Sequence, residues 1–412
     1  MSERARIATS LLAAAAIAAI VALLVIGAIG PGTAAGCGSA TDGAYLGTAF
    51  TAAHLINLGE SDGNAVKNAV RTIEGDRTLI DAVAADDVAS VRAEVLALVY
   101  NHEHIVRLRV LRDGALLDDF GGPLVLAPVR GSLRLGGRVV GSFVMSIQDD
   151  AGYRKLAQRL VGADVVMRYR GRTVMSDIAA GSVSLPARGA VVIHGVRYLV
   201  ASFSDGRFPS GTLRISLLFH RPPAALVHSS CAQVRVDVLA DVARRAYDEL
   251  RSGPPVVPAE TTLALDQALP QELEAADYPG AARIVSGMVA GGGFARLRVL
   301  VGGRVIADAG TSGPALAPLH RVIRDAAGGV LALAEFSVQS AQSFTVLVRA
   351  LTRVPVLVRT GHRQLAGSFA GPVDVPASGP VSYRGIRYEV ASFAGTAFPS
   401  GTVRIYVLAP AA

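Results

Sequence analysis

The sequence predicts an α+β protein: an N-terminal transmembrane helix, then two copies of one domain, each opening with helices and closing in a mixed, mainly antiparallel sheet. Three observations predict it. One stretch is written twice, as VVIHGVRYLVASFSDGRFPSGTLRISLLF at 191–219 and VSYRGIRYEVASFAGTAFPSGTVRIYVL at 381–408. Ahead of each copy of that stretch the apolar residues change from helical spacing to alternation. Before both, Leu11 to Ile29 runs without a charge.

The duplication divides the chain into 1–9, 10–30, a first copy at 37–219, a linker at 220–230 and a second copy at 231–409. Each copy, at about 180 residues, is long enough to bury a core of its own. The net charge of +7 rests almost wholly on arginine, since Lys67 and Lys155 are the only lysines. Those arginines are scattered among acids without basic runs or aromatic interleaving, so the composition gives no nucleic-acid groove.

As a helix the uncharged run rises about 28 Å, close to the hydrocarbon thickness of a bilayer. A cleaved signal peptide, with Thr33-Ala34-Ala35 at the cleavage site, is the alternative. Its apolar core would exceed the usual 7–15 residues, which favours a retained anchor at 10–30. Lipidation of Cys37 is the third reading. Arg4 and Arg6 precede the span, placing 1–9 in the cytoplasm and the rest outside, on the cell membrane. Cys37 and Cys231 stand just ahead of the first helix of each copy, and an exported chain with an even pair offers a disulfide. Sequence leaves open whether they meet.

In the first copy Tyr45, Leu46, Ala49, Phe50, Ala53 and Ile56 follow helical spacing, and a break at 59–63 leads into a short helix. Leu79 to Tyr100 continues the helical pattern. From Ile105 the period is two: a hairpin turns at Asp113-Gly114, and a second turns near Gly136-Gly137. Asp149 opens a helix to about Leu160. The strand-like runs 164–170, 172–176, 190–203 and 212–219 follow. In the second copy Val234 to Leu250 is helical, Pro254-Pro255 to Pro258 reads as a loop, and 261–289 is mostly helical. Arg296-Leu297-Arg298-Val299 then restates Arg107-Leu108-Arg109-Val110.

Helices leading into APVRGSLRLGGRVVGSFVMSIQDD and VVMRYRGRTVMSD resemble Cache domains, the PAS-like extracytoplasmic sensor modules of bacterial receptors. The resemblance implies tandem PAS/Cache-like domains. Receptors of that family usually set the domain between two spans, followed by a cytoplasmic output module; this sequence is expected to carry neither, and the family's amino-acid-binding motif is matched in neither copy.

Catalytic signatures are missing: there is no G-x-S-x-G, S-x-x-K, H-E-x-x-H or Walker loop, so no enzyme and no cofactor is expected. His102-Glu103-His104 has no fellow ligands nearby and reads as a solvated strand entry rather than a metal site. Asp86-Asp87 and Asp118-Asp119 read as helix-surface and turn carboxylates. Arg107 and Arg109 share one strand face, where paired guanidinium groups suit a small acidic ligand; a solvated sheet face is the plainer reading. Ser146 and Gln148 share a strand face, and Asp149, Asp150 and Tyr153 gather where that strand meets a helix. Copy two has Ser340, Ala341 and Phe344 there, so a ligand site is expected in copy one, although capping alone accounts for Asp149. The expected function is a ligand-binding or sensing ectodomain without its own output domain, acting through a separate membrane signalling protein. The alternative is a structural or assembly factor of the envelope.

Overall fold

The computed structural model describes residues 37, 40–101, 105–179, 183–220, 222, 226, 229–369, 374–398 and 401–411. The anchor expected at 10–30 and the trio His102-Glu103-His104 lie outside them. No helix among the described residues is long and apolar enough to cross a membrane.

Copy one begins with α1 (Thr41–Asp62), α2 (Asn64–Gly75), α3 (Arg77–Ala85) and α4 (Val88–Asn101). The expected single helix over 79–100 is two helices. Asp86 takes left-handed backbone (φ 60°) and closes α3, and the Asp87 carboxylate accepts from Ser90 N–H at the head of α4. The pair read as surface carboxylates thus terminates one helix and opens the next. Strands β1 (Arg107–Arg112), β2 (Ala115–Gly121), β3 (Val125–Leu126), β4 (Val129–Leu135), β5 (Arg138–Ser146) and β6 (Gln148–Asp149) follow. Helix α5 (Asp150–Val161) leads to β7 (Asp164–Tyr169), β8 (Arg172–Ser176), β9 (Arg188–Ile193), β10 (Val196–Gly206) and β11 (Thr212–His220). The run expected as one strand over 190–203 is folded on itself at His194-Gly195, both with positive φ, the turn pattern of a tight hairpin.

The structure departs from the expectation of a single sheet per copy. Copy one carries a four-stranded sheet in the order β2-β1-β5-β4 and a five-stranded sheet in the order β8-β7-β11-β10-β9, with β3 and β6 forming a small ribbon between. All strand pairings given for them are antiparallel. Each sheet has its own apolar cover. Leu108 and Val110 of β1 pack with Val83, Val91, Val95 and Leu98 of α3 and α4. The second sheet puts Val165, Met167, Ile215 and Leu217 against α1 and α5.

Copy two repeats the plan. Helix α6 (Cys231–Ser252) is followed by a one-turn 3-10 helix (Pro254–Val256) and by α7 (Val257–Leu265), α8 (Ala268–Glu274) and α9 (Tyr278–Ala290). The stretch read as a proline loop is therefore mostly helix start. Pro258 sits in the first turn of α7, where its missing N–H has no intrahelical partner to lose. Strands β12 (Arg296–Val301), β13 (Arg304–Gly310), β14 (Ala315–Leu316), β15 (Leu319–Arg324), β16 (Val330–Ser337) and β17 (Gln339–Ser340) precede α10 (Ala341–Thr352). Then come β18 (Val356–Thr360), β19 (Arg363–Gly367), β20 (Gly379–Tyr383), β21 (Ile386–Phe398) and β22 (Gly401–Pro410).

The copies are joined through one core. Leu46, Ala49, Ala53 and Ile56 of α1 share a cluster with Val236, Leu239, Ala243 and Leu250 of α6 and with Phe344 and Val348 of α10. Contacts are reciprocal: α1 touches α6 and α10, and α6 touches α1 and α5. Since α5 and α10 are equivalent, this is the pattern of a two-fold pair built within one chain. Cys37 and Cys231 are bonded, with Cα atoms 4.6 Å apart. The two long helices therefore start together and run side by side in the same direction. Their staple closes 194 residues.

Candidate functional site

The strand arginines meet an acid of their own chain. Hairpin pairing sets Arg109 opposite Asp119 and Arg107 two residues further along the same face. Arg107 Nε donates to Asp119 Oδ1 at 2.8 Å and Arg109 Nε to Asp119 Oδ2 at 2.9 Å. Arg107 also donates to Gly122 O at 2.7 Å. Burial pushes the Asp119 carboxyl up, but the two guanidinium groups more than offset this and hold it below its ordinary value. Asp119, read from sequence as a turn carboxylate, is the one acid that the arginine pair shares.

The same cluster recurs in copy two. Arg296 and Arg298 donate to Asp308, whose carboxyl is lowered chiefly by the hydrogen bond from Arg296. Over each cluster lies the phenylalanine of the repeated Phe-Pro-Ser-Gly block. Arg107 Cζ stands 4.9 Å from the Phe208 ring centroid, and Arg296 Cζ 5.3 Å from that of Phe398. The two most conspicuous repeated blocks are thus the two halves of one contact, which latches the first sheet of each copy to the second. Gly121 and Gly310 stand beside it with positive φ. A Cβ on either would fall 2.3 Å from a backbone oxygen, of Val106 and Ala295 respectively.

The remaining residues singled out in copy one are committed to the fold. Ser146 is buried, and its Oγ donates to Leu126 O while accepting from Gln148 N–H. Ser337 makes the matching bond to Leu316. Asp149 is the N-cap of α5, accepting from Gly152 N–H at 2.6 Å, and Asp150 lies in the first turn. Tyr153 has no exposed surface; its hydroxyl donates to Ala53 O, and burial drives the phenol far above its ordinary value. Gln148 is 3% exposed, and neither atom of its side-chain amide has a partner among the described residues.

Open space lies in copy two. A cleft of about 390 Å³ is lined by Gln342 at the start of α10, Arg359 of β18, His362 in the following turn, and Gln364 to Gly367 of β19. Arg359 is 4% exposed, makes no hydrogen bond or ion pair with any described residue, and its buried Nε lacks a partner among them. Gln364 donates from Nε2 to Phe369 O at 2.9 Å, while its buried Oε1 meets no donor among the described residues. Across the sheet Arg404 is paired in register with Arg359 and donates to Ser392 Oγ at 3.2 Å.

At the corresponding place in copy one the space is filled. Arg154 of α5 reaches Asp177 at 3.2 Å and packs beside the Met175 sulfur, 3.9 Å away. Arg168, the counterpart of Arg359, donates to Thr173 Oγ1 at 3.3 Å and to Val183 O at 2.5 Å. Copy two has Thr345, Ser368, Ala366 and Gln364 where copy one has Arg154, Asp177, Met175 and Thr173. The exchanges at Thr345, Ser368 and Ala366 shorten the side chains beside the cleft, while Gln364, longer than Thr173, turns to Phe369 O and does not pair with Arg359. The expectation of charge at the helix start points away from this place. The signal that marks it in sequence is a run of large-to-small exchanges at a fixed offset around an arginine kept in both copies. Among the described residues no group of His, Cys, Asp or Glu is placed to hold a metal ion.

No family model matches the chain, and no curated protein does. Among solved structures, it is similar to an extracellular ligand binding receptor from Desulfohalobium retbaense at 11% identity and TM-score 0.21, covering 38% of this chain and 39% of the receptor. It is also similar to the periplasmic domain of Vibrio cholerae LuxQ, at 12% identity and TM-score 0.27, covering 44% of this chain and 98% of that domain.

Proposed function

We propose that this chain is a membrane-anchored, extracytoplasmic sensing protein without catalytic activity of its own, in which a small ligand held in copy two alters the packing of the paired long helices. The observation that carries this reading is the position of the cleft. Gln342 in its wall belongs to α10, and α10 packs directly against α1, the helix that begins at the disulfide. A ligand that prefers one seating of α10 on β18 and β19 thereby favours one seating of α10 on α1. The start of α1 lies nearest in sequence to the proposed anchor at 10–30, so the reader of the change in this scheme is a separate membrane signalling protein.

A thermal-shift screen of the full chain in detergent against small acids, sugars, amino acids and nucleotides tests the reading. A specific ligand at about 100 times its Kd should stabilise the fold by roughly 2.7 kcal/mol. A screen with no stabilising solute, together with retention of an envelope protein on the immobilised chain, would overturn it in favour of an assembly factor.

A further inference from the structure

We infer that the copy-two cleft binds a small hydroxy-carboxylate, with Arg359 as the anchor of its carboxylate and Gln364 as acceptor for its hydroxyl; this rests on the reading that the chain binds a ligand at all. Arginine stays charged at every pH a protein meets, and a buried charge without a partner is strongly unfavourable. Arg359 meets part of that condition: its Nε is buried without a partner among the described residues, the side chain lines the cleft, and Arg404 stands directly opposite on the neighbouring strand. Like charges facing each other across a sheet add to the penalty. An anion seated on Arg359 relieves both terms, and the planar guanidinium suits the two oxygens of a carboxylate.

The second orphan atom narrows the class. Gln364 Oε1 is a buried acceptor with its amide fixed by the bond to Phe369 O, so the ligand must bring a donor as well as an anion. No carboxylate is among the lining residues, so an ammonium donor would lack a counter-charge there. A hydroxyl carries no such penalty. The cleft volume of about 390 Å³ suits a small organic molecule and far exceeds a bare inorganic ion. Copy one is the internal control: there Thr173 and Val183 O satisfy the arginine, and Met175 and Arg154 occupy the space.

Calorimetry and thermal shift on the full chain in detergent, with lactate, malate, inorganic phosphate, alanine and glycerol as probes, test the inference. Lactate or malate should bind, and Arg359→Gln should weaken that binding about ten- to a hundredfold, as expected for loss of a charge-assisted contact. Without ligand the same variant should melt no lower than the wild type, because it removes a partly desolvated guanidinium that has no acid partner among the described residues and faces Arg404. Ala366→Met, which installs the copy-one residue and leaves Arg359 in place, should abolish binding. Unchanged affinity in Arg359→Gln, or phosphate binding as tightly as lactate, overturns the inference. If neither lactate nor malate binds, it also fails. In that case binding of glycerol or alanine keeps the broader ligand-binding reading alive, and five inert probes remove the support for both.

Discussion

Two equivalent places, one in each copy, hold the same arginine in opposite conditions. Around Arg168 the half-buried side chains of Met175, Arg154 and Asp177 and the exposed Thr173 occupy the space and supply partners. Around Arg359 the exchange to Gln364, Ala366, Thr345 and Ser368 leaves a cleft and a guanidinium without a partner among the described residues. The backbone is common to both, down to the strand order β18-β19 beside β22 that matches β7-β8 beside β11. A duplicated scaffold therefore keeps its ladder and latch while one member gives up packing for space. That is the trade expected where one copy supports the fold and the other carries a site.

The comparison can be broken most forcefully at the staple that binds the copies. Replacing Cys37 and Cys231 by serine releases a loop of 194 residues, for which chain entropy gives an upper guide of about 5 kcal/mol. Calorimetry should show a lower melting temperature. Unchanged melting would mean that the shared core alone sets the stability of the pair.

The latches come next. Asp119→Asn leaves Arg107 and Arg109 without a carboxylate, and a loss of about 1–3 kcal/mol is expected for so partly buried a cluster. Asp308→Asn should cost less, because Arg298 keeps Glu335 at 3.8 Å as a second acid. Equal losses in urea melts would remove that asymmetry. Met175→Ala carves in copy one the space that copy two has naturally; for a half-buried methionine about 1–2 kcal/mol is expected. If lactate then bound at the new space as well as at Arg359, the satisfied state of Arg168 would be irrelevant to binding.

The smallest effect is a pH slope confined to copy one. His54 stacks on Phe203 at 4.5 Å between centroids, whereas in copy two Tyr247 lies against Phe393. Burial lowers the His54 pKa, with Asp205 opposing. A lowered histidine pKa means that the unfolded chain takes up the proton first. Its contribution to stability is therefore complete above the ordinary value near 6.5 and declines as the pH falls through and below it. His54→Gln should flatten the melting temperature between pH 7.5 and 5.5, read at about half-unit steps; an unaltered slope would place its origin elsewhere.

The duplication, the helix-then-strand order and most element limits are legible in the sequence because periodicity and turn residues report local structure directly. The hairpin at Asp113-Gly114 is legible too, but a bulge at Val110/Leu111 shifts its register by one, so counting from the turn sets Asp118 rather than Asp119 opposite Arg109. The partner of the arginine pair therefore emerges only with the bulge, which spacing in the sequence does not announce. The second sheet in each copy is not legible. Strands interrupted by α5 look the same in sequence whether they join one ladder or two, and only long-range burial decides. Tyr153 is misplaced for a related reason: a phenol one turn into an amphipathic helix points to water or to the core with no difference in spacing. Arg359 escapes notice because the cleft beside it consists of missing atoms, which composition does not register.

The reciprocal seating of α1 on α10 and α6 on α5 bears on dose and response. Two separate identical chains would offer two equivalent places to a ligand, dissociate on dilution, and permit cooperative or half-saturated states. Fusing the pair holds the partners at a fixed effective concentration regardless of expression level. If only the proposed copy-two cleft takes a ligand, occupancy is one molecule per chain. Its titration curve should be a simple hyperbola, graded over about two decades of concentration rather than switched across a narrow one.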